Sequence, residues 1–568
     1  MSLIDWIVMG SFLIFIVAYG TWKSRGSKDV KNYLLANNSS AWYTMTLSIM
    51  ATQASAITFL STPGQAFVDG MRFVQFYLGL PIAMIILSIT AVPIFHRLKV
   101  YTAYEYLEQR FDLKNRILGS ALFLTQRGLA AGFTIFAPAL IISVLLGWDI
   151  SITIFVIGIL VIIYTAAGGT VAVNKTHMLQ MIVITFGMFM AFVMILRLLP
   201  ADISILDAMH VAGKMGRLNV IDFKFDLSTR YNIWSGLIGG TFLMLSYFGT
   251  DQSQVQRYLS GKSITHSRMA LLTNGLVKIP MQFIILFIGA MVFVFYQFQT
   301  PPIFFNPVQE ENVKNSHFGK HYSDLENQYN MINQQKRDHI NKLLHSIHEG
   351  NDVQTADQQQ ALKQINGHAE EIRREGIALI QQANPDADTN DTNYIFLNFV
   401  ISFLPVGLIG LVFAAILSAS MSSTSAELNA LASTTVIDFY KRLVKNEASE
   451  RHYLIASKLA TIFWGFYAIG FALFANRLGS LIEAVNILGS LFYGTILGIF
   501  LVAFFIKHVK GTPTFIAAVF AEVIVLLCFF LTDMPFLWFN FIGCITVIFS
   551  AVLLNPFYKR GKPVTVSH

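Results

Sequence analysis

Apolar runs of roughly 18 to 25 residues recur along the whole chain, each long enough to cross about 30 Å of hydrocarbon. Nothing else constrains the fold as strongly. Inside a bilayer each backbone N–H and C=O must find its partner within the segment, so such runs become helices. Hydropathy places 13 of them, at about 3–21, 40–66, 71–95, 117–145, 149–167, 178–198, 233–250, 269–296, 404–436, 453–475, 480–506, 512–532 and 536–555. Only 13% of the 568 residues are charged and 54% are hydrophobic, about half the charged fraction of a soluble domain. The expected class is an all-α polytopic membrane protein with about 13 transmembrane helices, the lipid bilayer being its first partner.

The pI of 9.1 carries no argument for nucleic acid, and no nucleic-acid partner is expected. Lys and Arg of a membrane protein gather in cytoplasmic loops. The stretches KSRGSKDVK, HRLK, YKRLVK and YKRGK all fall on one side if the N-terminus is outside. The expected placement is the plasma (inner) membrane, N-terminus outside and C-terminus cytoplasmic. The N-terminal run has no basic residue before it and no small-residue cleavage site, which makes it a retained first helix. Cys528 and Cys544 fall inside spans, so neither a disulfide nor a thiolate metal site is expected.

Three stretches divide the chain. Residues 1–296 hold spans 1 to 8, and 394–568 hold spans 9 to 13 with a cytoplasmic tail. Between them, 297–393 is polar and lies outside by parity. Within it, LENQYNMINQQKRDHINKLLHSI and QQQALKQINGHAEEIRREGIALIQQA space apolar residues as helices do. Two antiparallel helices turning near Gly350 are expected, either as a lid or partner-binding cap with no partner specified, or as a solvated insertion.

The second span, MTLSIMATQASAITFLSTPGQAF, is polar in its middle and carries Pro63-Gly64; the seventh, WSGLIGGTFLMLSYFGTDQ, is Gly-rich and polar late. Five spans apart, they cross in opposite directions. Interrupted helices at corresponding positions of two halves point to a transport site at the midplane, with close helix packing as the alternative. Core repeat one covers about 40–198, and repeat two begins about 233.

The run LSASMSSTSAELNALAS (417–433) carries hydroxyls on seven of its 17 residues. Ala419, Ser422 and Ser423 are spaced i, i+3, i+4 and share one face. Neutral oxygens so placed suit a monovalent cation that must both load and leave; small-residue packing is the alternative. Arg127 lies about 16 Å into the fourth span at about 1.5 Å per residue. A cation at that depth needs a cavity or a partner. It clamps a solute carboxylate through two parallel hydrogen bonds or pairs with a buried acid. Lys278 has similar depth in the eighth span. Gln53, Ser55 and Thr58 flank the expected break, while Phe73, Gln75, Glu483 and Asn486 are candidates to line a cavity from spans 3 and 11. Asp251 and Arg257 are read as organising the inner end of span 7.

Three stretches, YTAAGGTVAVNKTHMLQ (164–180), GTDQSQVQRYLSGKS (249–263) and LSASMSSTSAELN (417–429), together resemble the sodium:solute symporter family. That family includes the sodium–glucose, sodium–proline, sodium–sialate and sodium–monocarboxylate transporters. The resemblance implies the leucine-transporter fold, an inverted repeat of five helices formed by spans 2–6 and 7–11. It implies a sodium site on the carbonyls of Ala51, Ala54 and Ala419 and the hydroxyls of Ser422 and Ser423. It also implies solute contacts from Gln53, Ser55, Thr58 and Lys278, with Tyr247 stacking under the solute as an inner gate. In one place the chain departs from the pattern: Thr176-His177 stands where the family commonly has Thr-Asp. An imidazole there removes a negative charge and adds a group titrating near pH 6.5, so coupling uses one sodium or senses pH; a solvent-facing His is the alternative.

The expected function is a sodium-coupled secondary active symporter that imports a small polar organic solute by alternating access. A sugar or sugar acid, sialic acid among them, is favoured. The alternatives are a sodium/monocarboxylate symporter, a proton-coupled transporter and a non-transporting solute sensor of the same fold. The sequence has no HExxH or GxSxG motif and no paired intramembrane aspartates, so an enzyme is not expected.

Overall fold

The computed structural model describes residues 1–24, 41–98, 100–385, 387–475 and 479–558; the side chains of 17, 20–24 and 167–178 are outside that description. Among the described residues every regular element is helical. Nine helices among the described residues are long and apolar enough to cross a membrane, and four shorter apolar helices accompany them. One of the nine, Ala56–Leu98, joins the later part of the second expected span to the third. The shorter helix Thr392–Phe403 lies between the polar stretch and the ninth span, where hydropathy marked nothing.

The second span is two helices, α2 (Trp42–Gln53) and α3 (Ala56–Asp69), following the N-terminal α1 (Leu3–Ser24). The α2 ladder ends with Ala54 N–H donating to Met50 O at 2.7 Å, and it resumes with Thr58 N–H donating to Ser55 O at 3.0 Å. Between them Ser55 is extended (φ −75, ψ 176), and the Thr58 hydroxyl closes on Gln53 O at 3.0 Å. Hydroxyl side chains offer the backbone such local alternatives to the helical ladder. Pro63 lies inside α3 and is not the break.

Two glycines set how closely α3 is covered. A Cβ on Gly64 would stand 1.9 Å from Thr392 O, and one on Gly289 would stand 2.2 Å from Pro63 O. Backbone therefore meets backbone on both sides of α3, as small residues permit in membrane helices.

The first long helix after this region is α4 (Leu113–Leu146). The seventh span starts with a π turn at Ser235–Gly239 and continues as α5 (Gly240–Gly249). It breaks at Thr250–Asp251, and the Asp251 carboxylate caps α6 (Gln252–Leu259) by accepting from Ser253 N at 2.9 Å. So the interruption comes late, where the sequence turns polar, and α7 (Ile264–Phe298) follows.

Two polar helices come next, α8 (Gly319–His348) and α9 (Asp352–Ala383), joined at Gly350 with φ +67. Tyr322, Leu325, Leu379 and Ile380 form a small core with Ile303, while Ile340, Leu343 and Leu362 join the main core. Gln359 Nε2 donates to Lys214 O at 2.6 Å and His348 Nε2 meets Asp207 Oδ1 at 2.7 Å. The pair thus lies down on one end of the bundle.

The chain continues through α10 (Thr392–Phe403), which covers α3, and into α11 (Leu408–Thr434), buried along nearly its whole length. The first N–H groups of a helix need acceptors from outside it. Asp5 of α1, fully buried, accepts from Gly407 N at 2.6 Å and Gly410 N at 3.2 Å. This carboxylate fixes α1 to the start of α11. α11 packs against α2, α3, α4 and the 150–198 region, and α12 (Leu481–Phe505) packs against α4 and α5.

Candidate functional site

A cavity of about 100 Å³ lies beside the break between α2 and α3. Gln53, Ser55 and Thr58 line it from the break, and Arg127 and Thr134 from α4. Tyr247 of α5, Lys278 of α7, Glu427 of α11, and Asn486 and Tyr493 of α12 complete its polar wall. Seven of the ten solute-contact candidates therefore meet at one place.

The two cations differ sharply. Arg127 is held by Asp251 and by Glu427 Oε1 at 3.1 Å, and it donates to the Tyr493 hydroxyl at 2.7 Å. Tyr493 in turn donates to Asp251 Oδ2 at 3.0 Å. Of the two readings of Arg127, the buried-acid pairing is the one seen: both terminal nitrogens are engaged, and Nε alone has no partner among the described residues. The Tyr247 ring lies 5.5 Å from the Arg127 guanidinium and its hydroxyl accepts from Gln254 at 2.7 Å. Lys278 is 1% exposed, and its Nζ has no hydrogen-bond partner among the described residues. An unpaired buried ammonium costs several kcal/mol, so the site calls for an acceptor there.

Three candidates stand elsewhere. The third span opens as a 3₁₀ helix, Gly70–Tyr77, that crosses the end of the bundle. Phe73 stacks on Phe76 at 5.4 Å, and Gln75 ties down a loop by donating to Tyr231 O at 3.2 Å and accepting from Asp222 N at 3.0 Å. Glu483 begins α12 one turn before Asn486; it accepts from Tyr231 Oη at 2.7 Å and pairs with Arg230 at 2.8 Å. Neither Phe73, Gln75 nor Glu483 lines the cavity.

The expected sodium ligands sit on two adjoining elements. The break leaves the carbonyls of Ala51 and Ala54 without the helical N–H four residues on, since Ser55 is extended and Thr58 N–H goes to Ser55. On α11 the Ser422 hydroxyl donates to Gln180 Oε1 at 2.9 Å and the Ser423 hydroxyl to Ser420 O at 3.0 Å. A hydroxyl that has placed its single proton keeps two lone pairs for a cation. Ala419 lies buried on the same helix. The side chain of His177 lies outside the described residues.

Glu427, Tyr493, Thr134 and Gln180 were not among the candidates. Glu427 follows Ser423 by four residues, and an acid inside an apolar helix is itself a site signal. Gln180 ends the first motif stretch. Nothing local marks Thr134 or Tyr493, which tertiary packing brings in. The three motif stretches converge: Gln180 from the first meets Ser422 of the third, and Arg127 joins Asp251 of the second to Glu427 of the third.

The model of the family described as "Sodium:solute symporter family" matches residues 33–316 and 376–520. The chain belongs to the sodium:solute symporter family. Members of the family move a solute together with sodium, their coupling ion. The chain is 30% identical to the human sodium/iodide cotransporter over 295 residues, covering 51% of this chain and 45% of that protein, less than half its length. It is 25% identical to the sodium/sialic acid symporter of Aliivibrio fischeri over 98% of this chain and 94% of that one. A solved structure of a Na+-coupled sialic acid symporter, substrate-bound and outward-open, superposes with a TM-score of 0.73 at 22% identity over 98% of both chains. The family therefore has here its leucine-transporter type of fold, a multi-pass helical membrane protein with the five-plus-five inverted repeat.

Proposed function

We propose that this chain imports a small carboxylate-bearing solute, a sugar acid of the sialic acid type, driven by sodium. The observation that carries the reading is Lys278, an ammonium with no hydrogen-bond partner among the described residues, 5.8 Å from the Tyr77 ring, in a cavity where Gln53, Ser55, Thr58 and Asn486 suit hydroxyl and amide groups. A carboxylate satisfies the lysine, and the neutral groups select what surrounds it. The relatives named above carry iodide and sialic acid, both anions. A short monocarboxylate is the second reading, favoured by size: about 100 Å³ is below the roughly 300–1,000 Å³ of typical ligand sites. A sugar acid enters only when the surrounding helices separate, as alternating access requires.

Sodium sits on the carbonyls of Ala51, Ala54 and Ala419 and the hydroxyls of Ser422 and Ser423. It bridges the broken helix to α11, so that loading the ion biases the same elements that hold the solute. Moving one charge across 100 mV contributes about 2.3 kcal/mol. The chain acts as a transporter without catalysis, in the plasma (inner) membrane with its N-terminus outside and C-terminus cytoplasmic, which the Lys and Arg bias supports. The proton-coupled and sensor readings are outcomes of the same test. Proteoliposomes are given an inward sodium gradient and radiolabelled N-acetylneuraminate, glucose or lactate. Sodium-dependent neuraminate uptake is expected. Lactate uptake alone selects the monocarboxylate reading, uptake driven by a pH gradient without sodium selects proton coupling, and binding without uptake identifies a sensor.

A further inference from the structure

A second and larger cavity, about 620 Å³, lies between the helical pair α8–α9 and the end of the bundle. That volume is within the range of small-molecule sites. Much of its wall comes from α8 and α9, whose residues fall mostly in the interval between 316 and 376 that the family model does not match. The cavity is therefore a feature of this chain's insertion.

Five basic and two acidic side chains line it. Arg373 is already committed, to Asp391 and to Ile303 O at 2.7 Å. Lys336 is not: it is 5% exposed and makes no hydrogen bond or ion pair among the described residues. Arg217 donates to Val68 O and keeps a buried Nε with no partner. Two cationic groups with unused donors thus face one open cavity, whose wall carries a single uncommitted acid, the exposed Glu370. The floor is aromatic. Phe67 meets Phe293 and Phe305 edge to face, with centroids 5.5 and 5.6 Å apart; the Arg217 guanidinium lies 4.4 Å over the Phe293 ring, which leaves the half-buried Phe67 to meet a carbon frame.

The two cavities lie along one helix. Thr58 lines the inner cavity and Phe67 the outer one, and both belong to α3. Nine residues of helix at about 1.5 Å each put them roughly 14 Å apart. Thr392 and Ile395 of α10, the helix that covers α3, line the outer cavity as well.

We propose that this cavity is a second binding site for a hydroxylated organic carboxylate, with Lys336 and Arg217 holding the carboxylate and Phe67 meeting the carbon frame. Its ligand class rests on the transport reading given above; its location does not. The insertion would then gather solute at the mouth of the central site.

The test measures equilibrium binding of radiolabelled N-acetylneuraminate to the purified full chain, beside separate lactate and inorganic phosphate arms, with Lys278→Gln, Lys336→Gln and Lys336→Arg variants. Two molecules of neuraminate per wild-type chain are expected. One should remain in Lys278→Gln, its affinity falling about tenfold or more when Lys336→Gln is added and returning with Lys336→Arg. A single molecule per chain that is lost in Lys278→Gln, or a second one indifferent to Lys336→Gln, overturns the proposal. So does absence of Lys336-dependent binding of any probe, whatever wild-type uptake shows. Lys336-dependent binding of phosphate as tight as that of neuraminate overturns the carboxylate assignment. Lys336-dependent neuraminate binding in a chain that transports none of the solutes upholds the outer site and rejects the transport reading instead.

Discussion

The Ser422 hydroxyl donates to Gln180 Oε1 across 2.9 Å, and Gln180 Nε2 donates back to Ser418 O at 3.3 Å. Gln180 thereby orients the hydroxyl so that its lone pairs, not its proton, are left for a cation.

Sodium binding should depend on that pair. A ligand that binds only the folded state stabilises it by RT ln(1 + [L]/Kd), about 2.7 kcal/mol at 100 times Kd. The purified chain should show a saturable rise in Tm with sodium at constant ionic strength. Ser422→Ala should abolish the rise and Gln180→Ala should shift it to higher sodium, neither lowering the sodium-free Tm by much. A full rise in Ser422→Ala removes this residue from the site.

Solute recognition should depend on Lys278. Lys278→Met replaces an unpaired ammonium with an apolar side chain of similar length, so its melting temperature should equal or exceed that of the wild type, while sodium-driven uptake of the anionic solute falls by at least tenfold. Flux assays and thermal melts on one preparation check both halves. Unchanged uptake moves the carboxylate contact elsewhere.

Arg127 should behave in the opposite way. Removing one member of a buried ion pair costs about 3–5 kcal/mol, because the partner charge is left behind. Arg127→Met leaves both Asp251 and Glu427 uncompensated and should lower the Tm strongly, whereas adding Asp251→Asn and Glu427→Gln should recover much of the loss. A stable single variant would show that the network is not structural.

The outer site should respond to alkali. Burial, opposed by Glu370 and aided by Arg217, brings the Lys336 ammonium down to about 8; Lys214, Lys363, Arg373 and Asp391 share the wall. The lysine is charged below that value, so anion binding at the outer cavity should weaken as pH rises through 8. Stability runs the other way. Between about pH 8 and 10.5 the unfolded chain holds a proton that the folded chain has released, so stability should rise with pH across that window. Lys336→Met should remove both trends, as read by binding and by thermal melts at each pH.

Much of this was legible in the sequence because bilayer physics leaves so few choices. Thirteen apolar runs dictate helices, and the polar middle of MTLSIMATQASAITFLSTPGQAF announces a break that the structure places at Ala54–Ser55. Gln53, Ser55 and Thr58 could be named as site candidates because hydroxyl and amide groups beside a broken membrane helix have little other reason to be there. Phe73, Gln75 and Glu483 could not be excluded, since hydropathy reads Gly70–Tyr77 as the start of a span and cannot show a 3₁₀ helix crossing the end of the bundle.

The tertiary structure alone decided who pairs with whom. Asp251 and Glu427 lie 124 and 300 residues from Arg127 in the chain, and no local pattern states that they share one guanidinium while Lys278 has no hydrogen-bond partner among the described residues. Burial of a charge is a property of a place. The sequence by itself determined that this chain lies in a membrane as helices, because an unsatisfied backbone is too costly in hydrocarbon. Only the packing of α4, α5, α7 and α11 decided which of its buried charges neutralise each other.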